Sequence, residues 1–283
     1  MSETIKIAGV QMDVMIGRVD ENLSRIEDAT REAARSGARL VVFPECALTG
    51  YCFDSLDEAR PFAEPVDGPA VARLTALCRE CDCHVIVGML EADGERVFNA
   101  CLLIGPAGLA GGYRKIHLPF LGIDRFVTPG DRPFGVFSCG AMQVGMNICY
   151  DISFPESSRV MALGGADLIA LPTNWPPAAA CLADFAAPAR AMENHVYYIA
   201  VNRIGEERGF RFIGQSRICE PVGKVIASAD REETILYADI DPAVARNKHL
   251  VRIAGQHEIH RFNDRRPEMY GAIVEPVAQP ARS

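Results

Sequence analysis

Residues 143–156 read QVGMNICYDISFPE, and they join a strand pattern to a helix pattern. Apolar side chains at every second position, Val144, Met146 and Ile148, indicate a strand with one apolar face. The proline near the end of the stretch suits the first turn of a helix, where no backbone N–H is needed. Cys149 therefore lies where a strand passes into a helix.

The position of Cys149 is compatible with two roles. Helix-end N–H groups and nearby positive charge lower the pKa of a thiol and favour its nucleophilic form. A sharp turn there would also aim the next backbone N–H at a developing oxyanion. The alternative is a buried cysteine that ends a core strand, since free cysteine is among the most buried residue types.

Two other segments end an apolar pattern with a charged residue. Residues 38–45 read ARLVVFPE, and their proline stops the strand, so Glu45 falls at or just past its end. Residues 112–119 read GYRKIHLP and place Lys115 at the far end of a predicted hairpin. Taken singly, Glu45 is compatible with a solvated loop acid and Lys115 with a surface lysine.

Together, VVFPE, YRKIHLP and NICYDISFPE resemble the three signatures of the nitrilase, or carbon–nitrogen hydrolase, superfamily, in the same order and at comparable spacing. The likeness runs from about residue 5 to residue 268 and is to the amidase-like branch. By this resemblance Glu45, Lys115 and Cys149 form a catalytic triad. The resemblance also implies a four-layer α-β-β-α sandwich of the α/β class, which assembles as a homodimer or higher homo-oligomer.

The resemblance implies a hydrolase of C–N bonds other than peptide bonds. It would cleave small carboxamides through a thioester on Cys149 and release an acid and ammonia. Glu45 would move the protons, while Lys115 and the N–H of Tyr150 would stabilise the tetrahedral oxyanion. No metal or organic cofactor is expected for this reaction.

The residues after the nucleophile bear on the substrate. Nitrilases of the superfamily usually show Cys-Trp-Glu, whereas this chain has Cys-Tyr-Asp at 149–151. Similar amidases of ω-amides or carbamoyl D-amino acids place an arginine shortly afterwards to grip a carboxylate, where this chain has Ile152 and Ser153. A neutral or weakly polar amide is therefore favoured, although Arg125 or Arg159 could substitute for the missing arginine.

Three alternatives to this amidase remain open from sequence. The first is an N-carbamoyl (ureido) amidohydrolase, which would release CO₂ together with ammonia. The second is a nitrilase, and the third is a catalytically silent binding scaffold. The intact triad argues against a scaffold, because a silent site has no need of all three groups.

Five residues are candidates for contact with the substrate: Tyr51, Asp124, Tyr150, Asn174 and Trp175. Asp124 is the nearest match to a second glutamate that many members of the superfamily carry. An equal alternative is a solvated loop aspartate paired with Arg125. For Tyr51 an ordinary packing role is equally compatible, whereas the proline-flanked loop of Trp175 favours substrate contact.

Composition and charge exclude several classes of function and bear on location and domain organisation. The chain has 283 residues, a net charge of −8 and dispersed basic residues, which argues against binding to nucleic acid. No run of about 18 apolar residues predicts a membrane span. No secretory signal is visible, so a cytoplasmic location is expected. No linker divides the chain, so we predict a hydrolase domain at 1–270 and a C-terminal extension at 271–283.

Ten cysteines are expected to remain thiols in a reducing compartment. Cys78, Cys81 and Cys83 could form half of a metal site, but no second ligand pair has the spacing of a zinc site. We therefore expect no metal there. The residues that follow, 84–88, predict a short buried strand.

Overall fold

Two six-stranded β-sheets form the centre of the computed structural model, which describes residues 4–276. The strands of the first half are β1 (Ile5–Gln11), β2 (Leu40–Val42), β3 (His84–Asp93), β4 (Arg96–Gly105), β5 (Gly108–Arg114), β6 (Val136–Cys139) and β7 (Met142–Met146). Those of the second half are β8 (Leu168–Thr173), β9 (Tyr197–Asn202), β10 (Glu206–Glu207), β11 (Phe210–Arg211), β12 (Arg217–Cys219), β13 (Val225–Ser228), β14 (Thr234–Ile240), β15 (His249–Ile253) and β16 (His257–His260).

Six α-helices accompany these strands within the described residues. They are α1 (Val19–Arg35), α2 (Leu56–Ala59), α3 (Pro69–Cys81), α4 (Pro155–Leu163), α5 (Ala187–Asn194) and α6 (Pro242–Arg246). Short 3₁₀ turns include Gly122–Arg125 and Cys149–Ser153, and a π-helical turn at Leu182–Ala186 precedes α5.

Strand direction brings the ends of several strands to one edge of each sheet. The first sheet has the order β14-β1-β2-β3-β4-β5, with β1, β2 and β3 parallel and β4 and β5 forming a hairpin. The second has the order β13-β12-β9-β8-β7-β6, with β7, β8 and β9 parallel. In sheets of this kind, sites form beyond the carboxyl ends of the strands.

The layers follow the order helix, sheet, sheet, helix. Helices α1 and α3 pack together, and α3 lies on β4 and β5; helices α4 and α5 pack together, and α5 lies on β9 and β12. Strand β1 meets β9, and β3 meets β8, so the two sheets face each other. The predicted four-layer α-β-β-α sandwich is confirmed.

Local sequence explains where α3 begins and ends. Pro69 is its first residue, where the missing N–H costs nothing. Asp82 ends it in the left-handed region at φ 48°, a conformation that Asp tolerates better than most residues. The strand predicted at 84–88 is longer than expected and runs to Asp93, because β4 pairs with it from Val85 to Asp93.

The chain divides into two compact units, one up to Arg246 and one from Asn247 onward. The second contains the β15–β16 hairpin and two short 3₁₀ turns at Pro267–Met269 and Gly271–Ile273. The predicted boundary at 270/271 stays a prediction, and residues 277–283 of the predicted extension lie outside the described residues. None of the helices between residues 4 and 276 is both long and apolar enough to traverse a membrane.

Candidate active site

Cys149 lies in a strained turn directly beyond β7. It opens the 3₁₀ turn and has φ 45°, a left-handed conformation that is unusual for a residue other than glycine. The carboxylate of Asp151 holds this turn, because its Oδ2 accepts from the Ile148 N–H at 2.8 Å and from Tyr113 Oη at 2.8 Å. The first N–H groups of a helical turn have no acceptor within that turn.

Asp151 also ties the cysteine turn to the segment that carries Lys115. Its Oδ1 accepts from the His117 N–H at 3.3 Å and lies 2.7 Å from His117 Nδ1. The His117 ring stacks on Phe154, with 3.6 Å between ring centroids. The lysine segment of the first sheet and the cysteine turn of the second are thereby fixed to one another.

Glu45 lies in the loop after β2, and the loop is held tightly. The next residue, Cys46, has φ 50°. Gly88 on β3 passes so close that a Cβ there would lie 2.4 Å from the Cys46 nitrogen and 2.5 Å from the Pro44 oxygen. Asn174 Nδ2 donates to the Glu45 carbonyl oxygen at 3.1 Å. The position of this glutamate is therefore set by backbone contacts as well as by its side chain.

Lys115 lies just beyond β5 and connects two carboxylates. Its Nζ donates to Glu45 Oε1 at 2.7 Å and to Asp124 Oδ2, and all three side chains have 0% exposure. Its backbone N–H donates to the Asn99 carbonyl oxygen at 2.8 Å. The structure thus brings the fully buried side chains of Glu45, Lys115 and Asp124 together.

The alternative of a solvated Asp124 paired with Arg125 is wrong, because Asp124 is buried beneath Lys115. Its Oδ2 also accepts from Tyr51 Oη at 2.8 Å. The Arg125 guanidinium instead donates to the Gly122 carbonyl and lies over the Phe126 ring. Asp124 and Tyr51 form a layer beneath the lysine, and their predicted contact with substrate stays a prediction.

The other three predicted substrate residues lie on the side of the second sheet. Tyr150 follows Cys149, is 38% exposed and meets Phe154 edge to face. Asn174 follows β8 and leaves its Oδ1 without a partner among residues 4–276. Trp175 is only 1% exposed, and its Nε1 likewise has no partner among those residues. Direct contact of these residues with a substrate also stays a prediction.

The electrostatics of the site favour a protonated thiol and a charged lysine. Burial raises the pKa of Cys149 to about 12, and the Glu45 carboxylate acts in the same direction. Lys115, the Thr173 hydroxyl and the Asn174 N–H act against this shift. Burial lowers the pKa of Lys115, but its carboxylate neighbours outweigh burial, so the net pKa is well above its ordinary value.

Glu45 is the group best suited to exchange protons. Burial raises its pKa above the ordinary value, although the neighbouring Lys115 opposes the shift. Only one of its oxygens is occupied, because Oε2 has no hydrogen-bond partner among the described residues. A carboxylate with a raised pKa and a free oxygen can accept a proton from a thiol and return it to a leaving group.

Two residues that hold the site were missed by sequence reasoning. Asn99 on β4 donates from Nδ2 to Glu45 Oε1 at 2.7 Å and to Asp124 Oδ1 at 2.8 Å. Asp151 was noted only as part of a motif, yet it anchors the cysteine turn. One feature of the sequence could have identified Asn99: it is the single amide in an otherwise apolar strand, VFNACLLI at 97–104.

The cysteines around the end of α3 do not form part of this site. Cys78 Sγ donates to the Ile104 carbonyl oxygen at 3.5 Å, and a hydrogen bond with the Cys83 thiol raises the pKa of Cys78. Within residues 4–276 no group of three or more His, Cys, Asp or Glu side chains could hold a metal ion.

Comparison with known proteins gives a consistent result over most of the chain. The sequence model of the carbon–nitrogen hydrolases matches residues 6–249. A protein named nitrilase from Pyrococcus abyssi is 42% identical over 268 residues, which cover 94% of this chain and 99% of that protein. An omega-amidase from Bos taurus is 32% identical and covers 94% and 97% of the two chains.

Solved structures agree with the sequence relatives. A mutant of the amidase from Nesterenkonia sp. AN1 shows covalent addition of the acetamide moiety of fluoroacetamide at the active-site cysteine. It superposes with a TM-score of 0.78 at 25% identity, over 95% of this chain and 96% of that one. Another mutant of that amidase, in complex with butyramide, gives the same TM-score and identity.

Proposed function

The chain belongs to the carbon–nitrogen hydrolase family, and from this premise we propose that it is a thiol amidase acting on small neutral carboxamides. As a member of this family it is a hydrolase of C–N bonds other than peptide bonds. The observation that carries the proposal is that Glu45 Oε2 has no hydrogen-bond partner within residues 4–276. Its carboxyl group belongs to a buried cluster that contains Lys115 and interacts electrostatically with Cys149.

The first half of the reaction forms a thioester. Cys149 is protonated at neutral pH, because its pKa is raised to about 12, so attack requires a base. Glu45 takes the thiol proton through its free oxygen while the sulfur bonds to the amide carbon. Lys115 has three N–H groups and uses two on Glu45 and Asp124. The third donates to the oxyanion together with the Tyr150 N–H.

The second half releases the products and restores the enzyme. Glu45 gives its proton to the leaving nitrogen, the C–N bond breaks and ammonia departs. Glu45 then takes a proton from water as the water oxygen bonds to the thioester carbon. The C–S bond breaks, the proton returns to Cys149, and the acid leaves. The overall reaction converts one amide and one water into one carboxylic acid and one ammonia.

The preference for a neutral amide is supported by what surrounds the nucleophile. Ile152 is fully buried and Ser153 carries no charge, so neither residue can pair with a substrate carboxylate. Arg159 donates to the Glu193 carbonyl oxygen at 2.8 Å, and Arg125 lies over Phe126. The complex of the Nesterenkonia amidase with butyramide, at 25% identity, supports the same substrate class.

A nitrilase is the second candidate, because the Pyrococcus abyssi protein that is 42% identical carries that name. The Cys149-Tyr150-Asp151 sequence supports the amidase instead. N-Carbamoyl hydrolysis is the third possibility that the test must separate. The homodimer or higher homo-oligomer and the cytoplasmic location stay predictions.

The test measures ammonia release from butyramide, succinamic acid, butyronitrile and an N-carbamoyl amino acid. We expect release from butyramide in the wild type, none in Cys149→Ala, and wild-type release in Cys181→Ala, which removes an exposed cysteine. Release from butyronitrile would assign a nitrilase, and CO₂ with ammonia from the carbamoyl compound would assign an amidohydrolase of ureido groups. Faster turnover of succinamic acid than of butyramide would contradict the neutral substrate class.

A further inference from the structure

Four buried side chains close a ring of hydrogen bonds beneath the nucleophile. Lys115 Nζ donates to Glu45 Oε1 at 2.7 Å and also to Asp124 Oδ2. Asn99 Nδ2 donates to the same Glu45 oxygen at 2.7 Å and to Asp124 Oδ1 at 2.8 Å. The ring thus alternates two donors, an ammonium and a carboxamide, with two acceptor carboxylates.

Few hydrogen-bond donors and acceptors of these four side chains remain unused by the ring. Both Asp124 oxygens are occupied, since Oδ2 receives the Tyr51 hydroxyl as well as Lys115. Glu45 Oε1 has two donors, whereas Glu45 Oε2 has no partner among residues 4–276. An ammonium has three N–H groups, so Lys115 retains one. What remains is one acceptor oxygen and one cationic donor, the pair required by the proposed reaction.

The orientation of Asn99 is itself fixed by its surroundings. Cys46 Sγ lies 3.6 Å from Asn99 Oδ1 and donates to it, so the amide presents Nδ2 to the carboxylates. The Asn99 backbone carbonyl accepts from the Lys115 N–H at 2.8 Å. One residue therefore contacts the backbone of the lysine and the side chains of both carboxylates.

We propose that Asn99 is a positioning residue for Glu45: its carboxamide occupies Oε1, so that Oε2 is the oxygen that exchanges protons with Cys149. Asn99 does not touch the reacting atoms and acts only through Glu45. A glutamate held by Lys115 alone could rotate and present either oxygen to the ammonium. The second donor removes this freedom, and a misplaced catalytic group is costly even when the displacement is small.

The inference rests on the proposed function, so its test uses one readout that requires turnover and one that does not. Asn99→Asp keeps the shape of the side chain but replaces the donor by a third carboxyl group. We expect kcat for butyramide to fall about 10- to 100-fold, the scale of one hydrogen bond to a charged group, with little change in KM. The acidic limb of the kcat/KM profile should move to higher pH, because the Asn99 hydrogen bond lowers the pKa of Glu45.

The second readout is alkylation of Cys149 by iodoacetamide, followed by peptide mass spectrometry. Sulfur displaces iodide and the thiol proton passes to Glu45, so the rate reports the base without any amide. Exposed Cys181 in the same protein is the internal reference. We expect slower alkylation of Cys149 relative to Cys181 in Asn99→Asp. If the wild type hydrolyses no amide, the proposed function fails while this readout still tests the role of Asn99.

Two further variants separate positioning from stability. Asn99→Ala removes the donor without adding a charge, and it replaces Asn99→Asp should the latter fail to fold. Asn22→Ala removes another buried asparagine, which donates to the Met15 and Leu48 carbonyl oxygens at 2.7 and 3.0 Å. This control should lower the melting temperature but leave the acidic limb in place. The proposal would be overturned if both Asn99 variants kept the acidic limb of the wild-type kcat/KM profile and the wild-type rate of Cys149 alkylation. It would also be overturned if Asn22→Ala moved the acidic limb as far as the Asn99 variants do.

Discussion

Arg114 and Lys115 are adjacent in sequence, and both are buried cations that contact carboxylates. The two clusters differ in how completely their donors and acceptors are paired. Arg114 donates from Nε and Nη2 to Glu91, from Nη2 to Asp93 at 3.0 Å, and from Nη1 to both oxygens of Asp131 at 3.0 and 3.1 Å. Its guanidinium also lies 3.9 Å from the centroid of the Phe98 ring. Each of its five N–H groups can be matched to an acceptor.

The cluster around Lys115 is incomplete by comparison. One glutamate oxygen has no partner among the described residues, and one ammonium N–H is left over. Unsatisfied buried polar atoms are costly, and a catalytic role is one reason for such an atom to persist. The comparison indicates that the arginine cluster contributes to structure, and it supports the proposal that the lysine cluster takes part in catalysis.

The largest expected effect comes from replacing each cation by methionine. Loss of one partner from a buried ion pair costs about 3–5 kcal/mol of unfolding free energy, so both Lys115→Met and Arg114→Met should be destabilised. Turnover should be lost only in Lys115→Met, while the folded fraction of Arg114→Met remains active. Denaturant unfolding and kcat measured on the same samples test this. Equal loss of kcat in the two variants would remove the distinction between the clusters.

Glu45→Gln should separate activity from stability. We expect kcat to fall by about 10²- to 10⁴-fold, the usual contribution of a positioned acid–base group. The variant leaves Lys115 its ion pair with Asp124. The folded state should therefore become more stable near neutral pH, because burial raises the pKa of Glu45 and so penalises its charged form. A destabilised Glu45→Gln at neutral pH would mean that the carboxylate is held for structure, as Glu91 is.

The difference in stability between Glu45→Gln and the wild type should depend on pH, and the raised pKa of Glu45 gives the sign of that dependence. The folded pKa of Glu45 lies above its unfolded value, so its contribution to stability is fully present below the unfolded value of about 4.3. It is lost as pH rises through the higher folded value. The melting temperature of Glu45→Gln should therefore match the wild type in acid and exceed it increasingly as pH rises through that window. Thermal melts across the pH series measure this.

The smallest effect is expected at the outer end of the arginine cluster. The Asp131 side chain is 36% exposed. When its charge is removed, Arg114 keeps its ion pairs with Glu91 and Asp93. Asp131→Asn should shift the denaturation midpoint less than either methionine variant and leave kcat unchanged, since exposed ion pairs contribute little. A large loss of kcat would show that the two clusters communicate through the strand that carries both cations.

Sequence placed Glu45, Lys115 and Cys149 at the ends of predicted strands because each follows an apolar run that stops at a recognisable point, and the family resemblance alone grouped them as a predicted triad. The proline before Glu45 and the proline that starts α4 mark strand and helix ends without reference to the rest of the fold. The hairpin that carries Lys115 was equally local, and β4 and β5 confirm it. Family resemblance then supplied the pairing of the two sheets.

The remaining contacts depend on register and packing, which a single sequence does not contain. Asn99 points at Glu45 because β4 pairs with both β3 and β5 in one particular register, and a shift by one residue would turn it to the other face. Asp124 was compatible with a solvated loop, since one of its partners in the buried cluster, Tyr51, is 73 positions away in sequence. Trp175 was expected to contact substrate from a proline-flanked loop; the structure shows that its side chain is buried, and the contact stays a prediction.

The two halves of the site come from different sheets, and this has a consequence for how activity appears during folding. Glu45 and Lys115 follow strands of the first sheet, while Cys149 and Asn174 follow strands of the second. In the proposed mechanism, neither sheet alone holds both the nucleophile and its base. In a refolding chain, catalysis must therefore appear only after the sheets dock, however early each forms its own hydrogen bonds. The rate at which turnover returns during refolding therefore reports the rate at which the two sheets dock.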